Sequence, residues 1–569
     1  MQDETRLLPV GSVRSYSMKK KYRFAIGRGA YSDLFGILYV SLRYHPLKEK
    51  ETIMKYPIGI QSFESLRKEN YVYVDKTEMV YELAERGKYY FLSRPRRFGK
   101  SLLVSTIEAY FSGRKDLFKG LAIDELEKDW ECHPILHLDL NTERYNTVDS
   151  LTDKLEANLN DWEQLYGKNP VAKSFATRFE YVIRYAYEKT GHPVVILVDE
   201  YDKPMLQAIG NEELQNEYRG ILKGFYGALK SQDRYIRFAL LTGVTKFGKV
   251  SVFSDLNNLQ DLSMDARYQA LCGMTEGEVV RYFGEPIRAL AIKNKLSEEE
   301  TLARLKKRYD GYHFVENGIG IYNPFSLLNT FERLQFGSYW FETGTPSYLV
   351  ELLKRDDYVL PHLTEEVSTA DVLNSIDVVS NNPISVLYQS GYLTIKDYNA
   401  EFGEYRLGFP NEEVEEGFLR YLLPYYTGLH DVTTPFSMSQ FIGDLRSGRP
   451  EQFMQRMASL FSDTDYKIVG NSELYFQNAF YLVAKMMGFY TKVERTTSNG
   501  RMDLTIETKD YVYIVEFKLD GSADVALQQI NEKGYDKPFL MDERHLYKIG
   551  VNFSLEKRCI DAWRIEPAP

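Results

Sequence analysis

Cysteine is scarce in this sequence. Its 569 residues include three cysteines, Cys132, Cys272 and Cys559, which lie far apart and without paired spacing. Such a set excludes a disulfide framework and a cysteine-based zinc site, and it suits a reducing cytosol. We therefore expect a cytoplasmic protein.

Long hydrophobic runs are also missing. No apolar run approaches the roughly 20 residues of a membrane span. Residues 35–42 are apolar but too few, and residues 1–30 lack the arrangement of a cleavable signal peptide. The sequence thus predicts no membrane partner.

Positive charge is in deficit, since 71 Lys and Arg stand against 81 Asp and Glu, for a net charge of −10. This argues against a protein coated in basic surface, although local basic patches are compatible with it. The composition, 44% hydrophobic and 27% charged, is typical of a globular protein. The chain is too long to fold around a single hydrophobic core, so we expect about two to four domains.

A strand, a loop and a helix follow one another in YYFLSRPRRFGKSLL, from Tyr89 to Leu103. The apolar residues 89–92 predict the strand, and the loop opens a helix at Lys100. A Gly-Lys-Ser sequence at a helix N-terminus offers backbone N–H groups and a positive dipole end to an anion. Lys100 could reach the outer phosphates of a nucleotide, and the Ser101 hydroxyl could hold Mg²⁺. The predicted nucleotide-binding residues of this loop are Arg97, Phe98, Gly99, Lys100, Ser101 and Leu102.

A second informative stretch is VVILVDEYD. Its five apolar residues predict a buried strand, and Asp199 and Glu200 emerge at the carboxyl end, where open α/β sheets bind ligands. Asp199 is placed to hold Mg²⁺ opposite Ser101, and Glu200 to orient or deprotonate a water that attacks the γ-phosphate. The alternative is an ordinary strand end with a solvated acidic turn. The combination of phosphate loop and acidic strand end is more specific than either half.

Two further strands complete the predicted sheet, at residues 134–140 and 235–242. The second ends in Thr242 and Thr245, which could sense the γ-phosphate, although a plain turn around Gly243 explains them equally well. We count Thr242 among the nucleotide-binding candidates. Strands joined by helices predict an α/β fold with a parallel, three-layer nucleotide-binding sheet.

The other regions carry weaker signals. Residues 1–55 lack periodicity and predict a poorly ordered extension, with a functional arm or a true start at Met54 as alternatives. Residues 276–375 are mainly helical and predict a lid beside the nucleotide. Residues 376–465 contain a helix and a hairpin that suggest a winged-helix-like module. An acidic hairpin tip disfavours DNA docking. We therefore interpret this module as a connector between domains and call it the connector.

The last hundred residues hold a second chemical pattern in the predicted order α-β-β-β-α-β. Asp503 lies in the second strand, and Glu516 and Lys518 lie two apart in the third, so both face one side of the sheet. Asp503 and Glu516 can together bind Mg²⁺, which favours hard oxygen ligands, while Lys518 can hold the attacking water or stabilise the transition state. Glu473 could add a metal ligand, and Gln529 could orient Lys518. The alternative is a fold retained for structure, with Glu516 and Lys518 as a same-face ion pair.

Several segments of the sequence together resemble a known family. The segments YPIGIQSFESLRKENYVYVDKT, FLSRPRRFGKSLLVSTIEAYF, VVILVDEYDKP, FSDLNNLQDLSMD and YDGYHF…IYNPFSLLN are similar to the AAA-ATPase-like family, whose members commonly carry a C-terminal PD-(D/E)XK nuclease domain. GRMD, EFK and ALQQINEKGY match that nuclease domain in order and spacing. The resemblance implies a P-loop ATPase over residues 56–275, with Glu200 as an additional catalytic glutamate, and a nuclease-like domain over residues 466–569. One departure is Arg94, which stands where the phosphate-loop pattern usually has its first glycine.

These expectations lead to two functional hypotheses. In the first, ATP regulates a Mg²⁺-dependent nuclease whose catalytic residues are Asp503, Glu516, Lys518 and Gln529, acting on nucleic acid, with DNA favoured over RNA. In the second, the chain is a nucleotide-driven switch whose C-terminal domain binds a partner or nucleic acid without cutting it. A small-molecule kinase is disfavoured by the tandem Asp-Glu and by the nuclease-like domain. ATP and Mg²⁺ are the expected cofactors, and a homo-oligomer is compatible with the fold.

Overall fold

The computed structural model divides the chain into two units, Met1–Ile53 and Met54–Pro569. The structure describes residues 54–246, 258–341, 349–350, 353, 358, 360, 363, 366–374, 383–426, 434–462, 472–488, 492–498, 501–539, 541–554, 556–557 and 559–568, with side chains described except at 374, 434–437, 462, 472–477, 480, 492–498 and 501–503. The predicted N-terminal extension lies outside the described residues, apart from its last two.

The first sheet has five parallel strands in the order β2-β3-β4-β1-β5. Every residue of β1 and β3 is buried, as expected for continuous apolar runs in a parallel sheet. The predicted parallel α/β fold is confirmed, with one short strand, β5, that the sequence did not predict. The strands are β1 Tyr89–Ser93, β2 Ile135–Asp139, β3 Val194–Asp199, β4 Ile236–Gly243 and β5 Gln260–Asp261.

Helices connect these strands, and two of them pack directly on the sheet. The helix that follows the phosphate loop, α3, contacts β3 and β4, and α7 contacts β3. Long connections of this kind are what parallel neighbours require. The helices of this region are α1 Phe63–Lys68, α2 Thr77–Arg86, α3 Lys100–Phe111, α4 Lys115–Phe118, α5 Ala122–Leu126, α6 Val148–Tyr166, α7 Phe175–Thr190, α8 Lys203–Gln207 and α9 Glu212–Ser231.

The predicted lid region forms a small apolar core of its own, built around Phe283, Leu305 and Phe331. Capping boxes at Thr275 and Ser297 fix where two of its helices begin. The prediction of helices is confirmed for residues 276–333, whereas much of 342–365 lies outside the described residues. The elements are β6 Met274–Thr275, α10 Glu276–Tyr282, α11 Gly284–Asn294, α12 Glu298–Tyr309, β7 Ile321–Tyr322 and α13 Pro324–Arg333.

The predicted connector contains the expected helix and hairpin, and a third strand, from residues 367–369 just before the connector, pairs with the hairpin. The sheet order is β8-β10-β9, antiparallel throughout, and Gly391, at φ 87°, ends the turn after the helix. Three longer helices follow. The elements are β8 Val367–Thr369, α14 Ala370–Asn374, α15 Pro383–Gln389, β9 Thr394–Asn399, β10 Glu404–Gly408, α16 Glu412–Tyr426, α17 Thr434–Arg446 and α18 Pro450–Ser462.

The C-terminal region is a second five-stranded sheet in the order β11-β12-β13-β14-β15. Its central pair, β13 and β14, is parallel, and the other pairs are antiparallel. The predicted α-β-β-β-α-β order is confirmed, and an edge strand, β15, extends it. The elements are α19 Ser472–Gly488, β11 Lys492–Ser498, β12 Arg501–Glu507, β13 Tyr511–Leu519, α20 Ala523–Lys533, β14 His545–Ser554 and β15 Cys559–Pro567.

None of the helices in the described ranges combines the length and apolar character needed to cross a bilayer.

Candidate active sites

The phosphate loop, residues 94–99, joins β1 to α3. Gly99 immediately precedes α3 at φ 92°, a left-handed conformation that favours glycine because it has no Cβ. Arg97 is also left-handed, at φ 68°. The loop therefore has the tight backbone that a phosphate-binding turn needs, although Arg94 replaces the usual first glycine.

Lys100 is held within this loop by three oxygens. Its Nζ donates to the carbonyl oxygens of Arg94 and Pro95, at 3.1 and 3.3 Å, and lies 3.3 Å from Oε1 of Glu200. The lysine side chain is only 4% exposed. The lysine and the glutamate predicted to serve one nucleotide are thus brought together, although they stand a hundred residues apart in the sequence.

Asp199 lies at the carboxyl end of β3 and is bound from the neighbouring strand. Oδ1 of Asp199 accepts from the hydroxyl of Thr242, at the end of β4, and from the backbone N–H of Glu200 at 3.1 Å. Thr242 thereby meets Asp199, whereas Thr245 donates its N–H and its hydroxyl to Asp202, at 2.6 and 2.7 Å. Thr245 therefore stabilises the turn after β4, in agreement with the alternative of a plain turn around Gly243.

Glu200 has a left-handed backbone, at φ 56°. Non-glycine residues adopt this conformation at a cost of about 1 kcal/mol or more, and such residues cluster at functional sites. The turn is held by the N–H of Tyr201, which donates to the carbonyl of Thr242 at 2.9 Å. This strained turn brings the Glu200 carboxylate to Lys100.

A cleft of about 390 Å³ opens beside the phosphate loop. Its polar lining residues include Lys100, Ser101 and Glu200. Apolar side chains line it as well, as is typical of a pocket for a small ligand. They are Ile58, Ile60, Val72, Val74, Phe283, Phe325 and Leu328. Leu102 and the exposed Arg97 also border the cleft.

The donors predicted for Mg²⁺ suit that ion by their chemistry. The Ser101 hydroxyl and the Asp199 carboxylate are hard oxygen ligands, and Mg²⁺ usually takes only one or two such groups beside phosphate and water oxygens. Ser101 lines the cleft, whereas Asp199, which is 4% exposed, is not among the lining residues and lies next to Glu200, which is. Mg²⁺ bound there would neutralise charge on the phosphates of a nucleotide.

Arg94 does not face the cleft. Its guanidinium is buried and donates to the carbonyl oxygens of Ser93, Ser263 and Tyr268, at 3.0, 2.8 and 3.3 Å, and it stacks over the ring of Phe314 at 4.0 Å. Burial lowers the pKa of this guanidinium. Arg94 therefore attaches the start of the loop to the segment after β5. Sequence reasoning missed this role because Ser263 and Tyr268 are distant from Arg94 in the chain.

Replacing Arg94 by glycine, the residue usual at this position, is expected to destabilise the protein. The change leaves buried carbonyl groups without their donor and opens a cavity, which together cost about 3 kcal/mol. Denaturant unfolding of Arg94→Gly, beside the exposed-loop control Arg144→Gly, measures the effect. An unfolding midpoint equal to that of the wild type would show that Arg94 does not hold the loop.

The C-terminal candidates meet on the face of β13 that α20 covers. Lys518 Nζ donates to Glu516 Oε1 at 2.8 Å and to Gln529 Oε1, on α20, at 2.5 Å. Glu516 is fully buried, and Asp503 stands directly opposite it in the β12–β13 register. Three of the predicted residues, Asp503, Glu516 and Lys518, thus lie on two neighbouring strands, and Gln529 of α20 contacts Lys518.

The side chains of Asp503 and Glu473 lie outside those described, although Glu473 belongs to the first turn of α19. Among the described side chains, no group of three or more His, Cys, Asp and Glu could hold a metal ion. The buried Glu516 carboxylate is nevertheless a hard oxygen ligand of the kind that Mg²⁺ takes, and Asp503 is its partner in the strand register. Mg²⁺ there would lower the pKa of a bound water.

Comparison with known proteins agrees with this geometry. Residues 57–253 match the family described as predicted AAA-ATPase, and residues 471–563 match the PD-(D/E)XK nuclease superfamily. A protein of Azotobacter chroococcum mcd 1, named "Uncharacterized protein in vnfD 5'region", is 36% identical over 528 residues, which cover 90% of this chain and 99% of that protein. The chain belongs to the AAA-ATPase-like family. It carries a PD-(D/E)XK nuclease-like domain at its C-terminal end, so both resemblances found in the sequence are confirmed.

Proposed function

We propose that this AAA-ATPase-like protein binds and hydrolyses ATP and thereby regulates a Mg²⁺-dependent nuclease centre in its C-terminal domain. The observation that carries the ATPase part is the contact between Lys100 and Glu200 at the mouth of the nucleotide cleft. Lys100 binds the outer phosphates, Ser101 and Asp199 hold Mg²⁺, and Thr242 keeps the Asp199 carboxylate in place. Glu200 leaves Lys100 when a nucleotide enters, and then orients the attacking water.

In the nuclease centre, Asp503 and Glu516 hold Mg²⁺ and Lys518 stabilises the charge that develops on the scissile phosphate. Gln529 fixes the position of Lys518. Nucleic acid is the proposed substrate, with DNA favoured. We propose domain limits of 56–275 for the ATPase, 276–375 for the lid, 376–465 for the connector and 466–569 for the nuclease-like domain.

A second candidate function is a nucleotide-driven switch whose C-terminal domain binds a partner or nucleic acid without cleavage. The close pairing of Lys518 with Glu516 favours it, because a same-face ion pair is what a fold retained for structure would also contain. The two functions differ in whether Lys518 is needed for chemistry or only for packing.

Replacing Glu200 by glutamine tests the ATPase proposal. The variant is expected to bind ATP as the wild type does but to hydrolyse it about 100-fold more slowly, because an amide cannot act as a general base. Steady-state ATP turnover and binding of a fluorescent ATP analogue provide the two measurements. Glu188→Gln, a surface change on α7, serves as the control. Normal turnover in Glu200→Gln would refute the assigned role.

A further inference from the structure

The phosphate loop is also held by Trp340, which is not among the residues that line the cleft. We infer that Trp340 is a positioning residue for this loop and that it couples the loop to helix α16, and through α16 to the nuclease-like domain. This inference rests on the proposed ATP-binding function and names how that function would be transmitted. Trp340 is 7% exposed and lies seven residues after the end of α13.

The first contact acts on the loop backbone. Trp340 Nε1 donates to the carbonyl oxygen of Arg96 at 3.2 Å. In a trans peptide the C=O and the following N–H point in opposite directions, so this bond turns the Arg97 N–H away from Trp340. The N–H of Gly273 holds the carbonyl of Phe98 at 3.1 Å in the same manner. Bonds to loop carbonyls thus orient the N–H groups that a phosphate needs.

The second contact joins Trp340 to α16. Its backbone N–H donates to Glu413 Oε1 at 3.0 Å, and Glu413, in the first turn of α16, is 1% exposed. Burial raises the pKa of the Glu413 carboxyl to about 7. The Trp340 ring also packs edge-on against Tyr392 at 5.1 Å, and Tyr392 packs against Phe418 of α16 at 5.0 Å.

Two contacts beside Trp340 join the connector to the nucleotide site. A Cβ added at Gly391 would lie 2.6 Å from the Cβ of Pro95, so the loop sits directly on the connector backbone. The N–H of Lys246, four residues after Thr242, donates to Gln389 Oε1 at 2.6 Å. The loop after β1 and the turn after β4 are therefore both linked to the end of α15.

Helix α16 continues the path to the nuclease-like domain. It packs along α19, and Glu415 pairs with Lys485 of α19 at 3.2 Å. Helix α19 leads into β11 and carries the candidate ligand Glu473. One continuous cluster of buried apolar side chains extends from β1 through α16 to β13. Because packed cores are not continuously deformable, a shift of the Arg96 peptide on ATP binding would move α16 as a unit.

Replacing Trp340 by phenylalanine tests this inference, because it removes the Nε1 donor and keeps an aromatic ring. Hydrogen exchange of residues 412–426 is measured with and without Mg²⁺ and a non-hydrolysable ATP analogue. In the wild type we expect the analogue to change exchange there by about fivefold or more. In Trp340→Phe we expect this change in exchange to be lost. We also expect the affinity for the analogue to fall by about two- to tenfold, because one hydrogen bond is lost.

Trp162→Phe is the matched control, since Trp162 is equally buried but lies on α6, away from the loop. This control should retain the nucleotide-dependent change. A second pair of variants guards against misfolding of Trp340→Phe: Glu413→Gln keeps an acceptor for the Trp340 N–H and should retain the change, whereas Glu413→Leu should lose it.

Two results would overturn the inference, and they can be told apart. If the wild type binds the analogue but exchange of residues 412–426 changes equally in Trp340→Phe, or does not change at all, the coupling is wrong and the proposed ATPase stands. If the wild type fails to bind the analogue, the proposed function and this inference fail together.

Discussion

Replacing Lys100 by alanine is expected to reduce ATP hydrolysis by about 100-fold or more, the usual effect of removing one preorganised charge from a developing anion. Lys100 is the buried cation of the phosphate loop, and its Nζ already lies among the carbonyl oxygens of Arg94 and Pro95 and the carboxylate of Glu200. Phosphoryl transfer depends almost entirely on positioning and charge stabilisation. Loss of this cation therefore weakens both nucleotide binding and turnover.

The measurement is ATP turnover by the purified full chain with Mg²⁺, together with binding of a fluorescent ATP analogue. Lys115→Ala, an exposed position at the start of α4, is the matched control and should behave as the wild type. Unfolding curves check that Lys100→Ala is folded. Hydrolysis by Lys100→Ala at the wild-type rate would show that the phosphate-loop assignment is wrong.

The second large effect is expected at Lys518. Replacing it by alanine should abolish cleavage of nucleic acid, by about 100-fold or more, while ATP turnover persists. The side chain bridges Glu516 and Gln529 and is 17% exposed, so it can reach a bound phosphodiester. Because Glu516 is fully buried, removing its lysine partner also raises the cost of its charge.

Cleavage is measured with Mg²⁺ and ATP on supercoiled plasmid, linear duplex, single-stranded DNA and RNA. Lys533→Ala, an exposed lysine at the end of α20, is the control. Magnesium removal by a chelator should likewise abolish cleavage, but unlike Lys518→Ala it should also stop ATP turnover. If the wild type and Lys518→Ala are equally inert on every substrate, the nuclease assignment fails and the switch function is favoured.

Much of the fold could be predicted because its strands differ strongly from their surroundings. The five apolar residues before Asp199 have no polar alternation, which is typical of a strand buried on both faces. The strands that escaped prediction are short or lie at a sheet edge: β5, β6 and β7 have two residues each, β8 has three, and β15 is an edge strand whose residues are mostly partly or fully exposed. Such strands form because a neighbour offers an unpaired edge, and that information is not local.

The candidate sites, like the strands, could be predicted only in part. The proximity of Lys100 and Glu200 could be predicted, because carboxyl ends of parallel strands meet at one edge of a sheet. The roles of Arg94 and Trp340 could not. Arg94 binds carbonyl groups about 170 residues away and Trp340 binds one 244 residues away, and an isolated arginine or tryptophan has no periodic pattern to reveal its partner.

If the nucleotide site controls the distant nuclease centre, cleavage of nucleic acid must depend on ATP. Wild type and Lys100→Ala are compared on the cleaved substrate with Mg²⁺, each with and without ATP. The account predicts that ATP changes the wild-type cleavage rate by about fivefold or more and leaves the rate of Lys100→Ala unchanged. Equal cleavage by the wild type with and without ATP would contradict it.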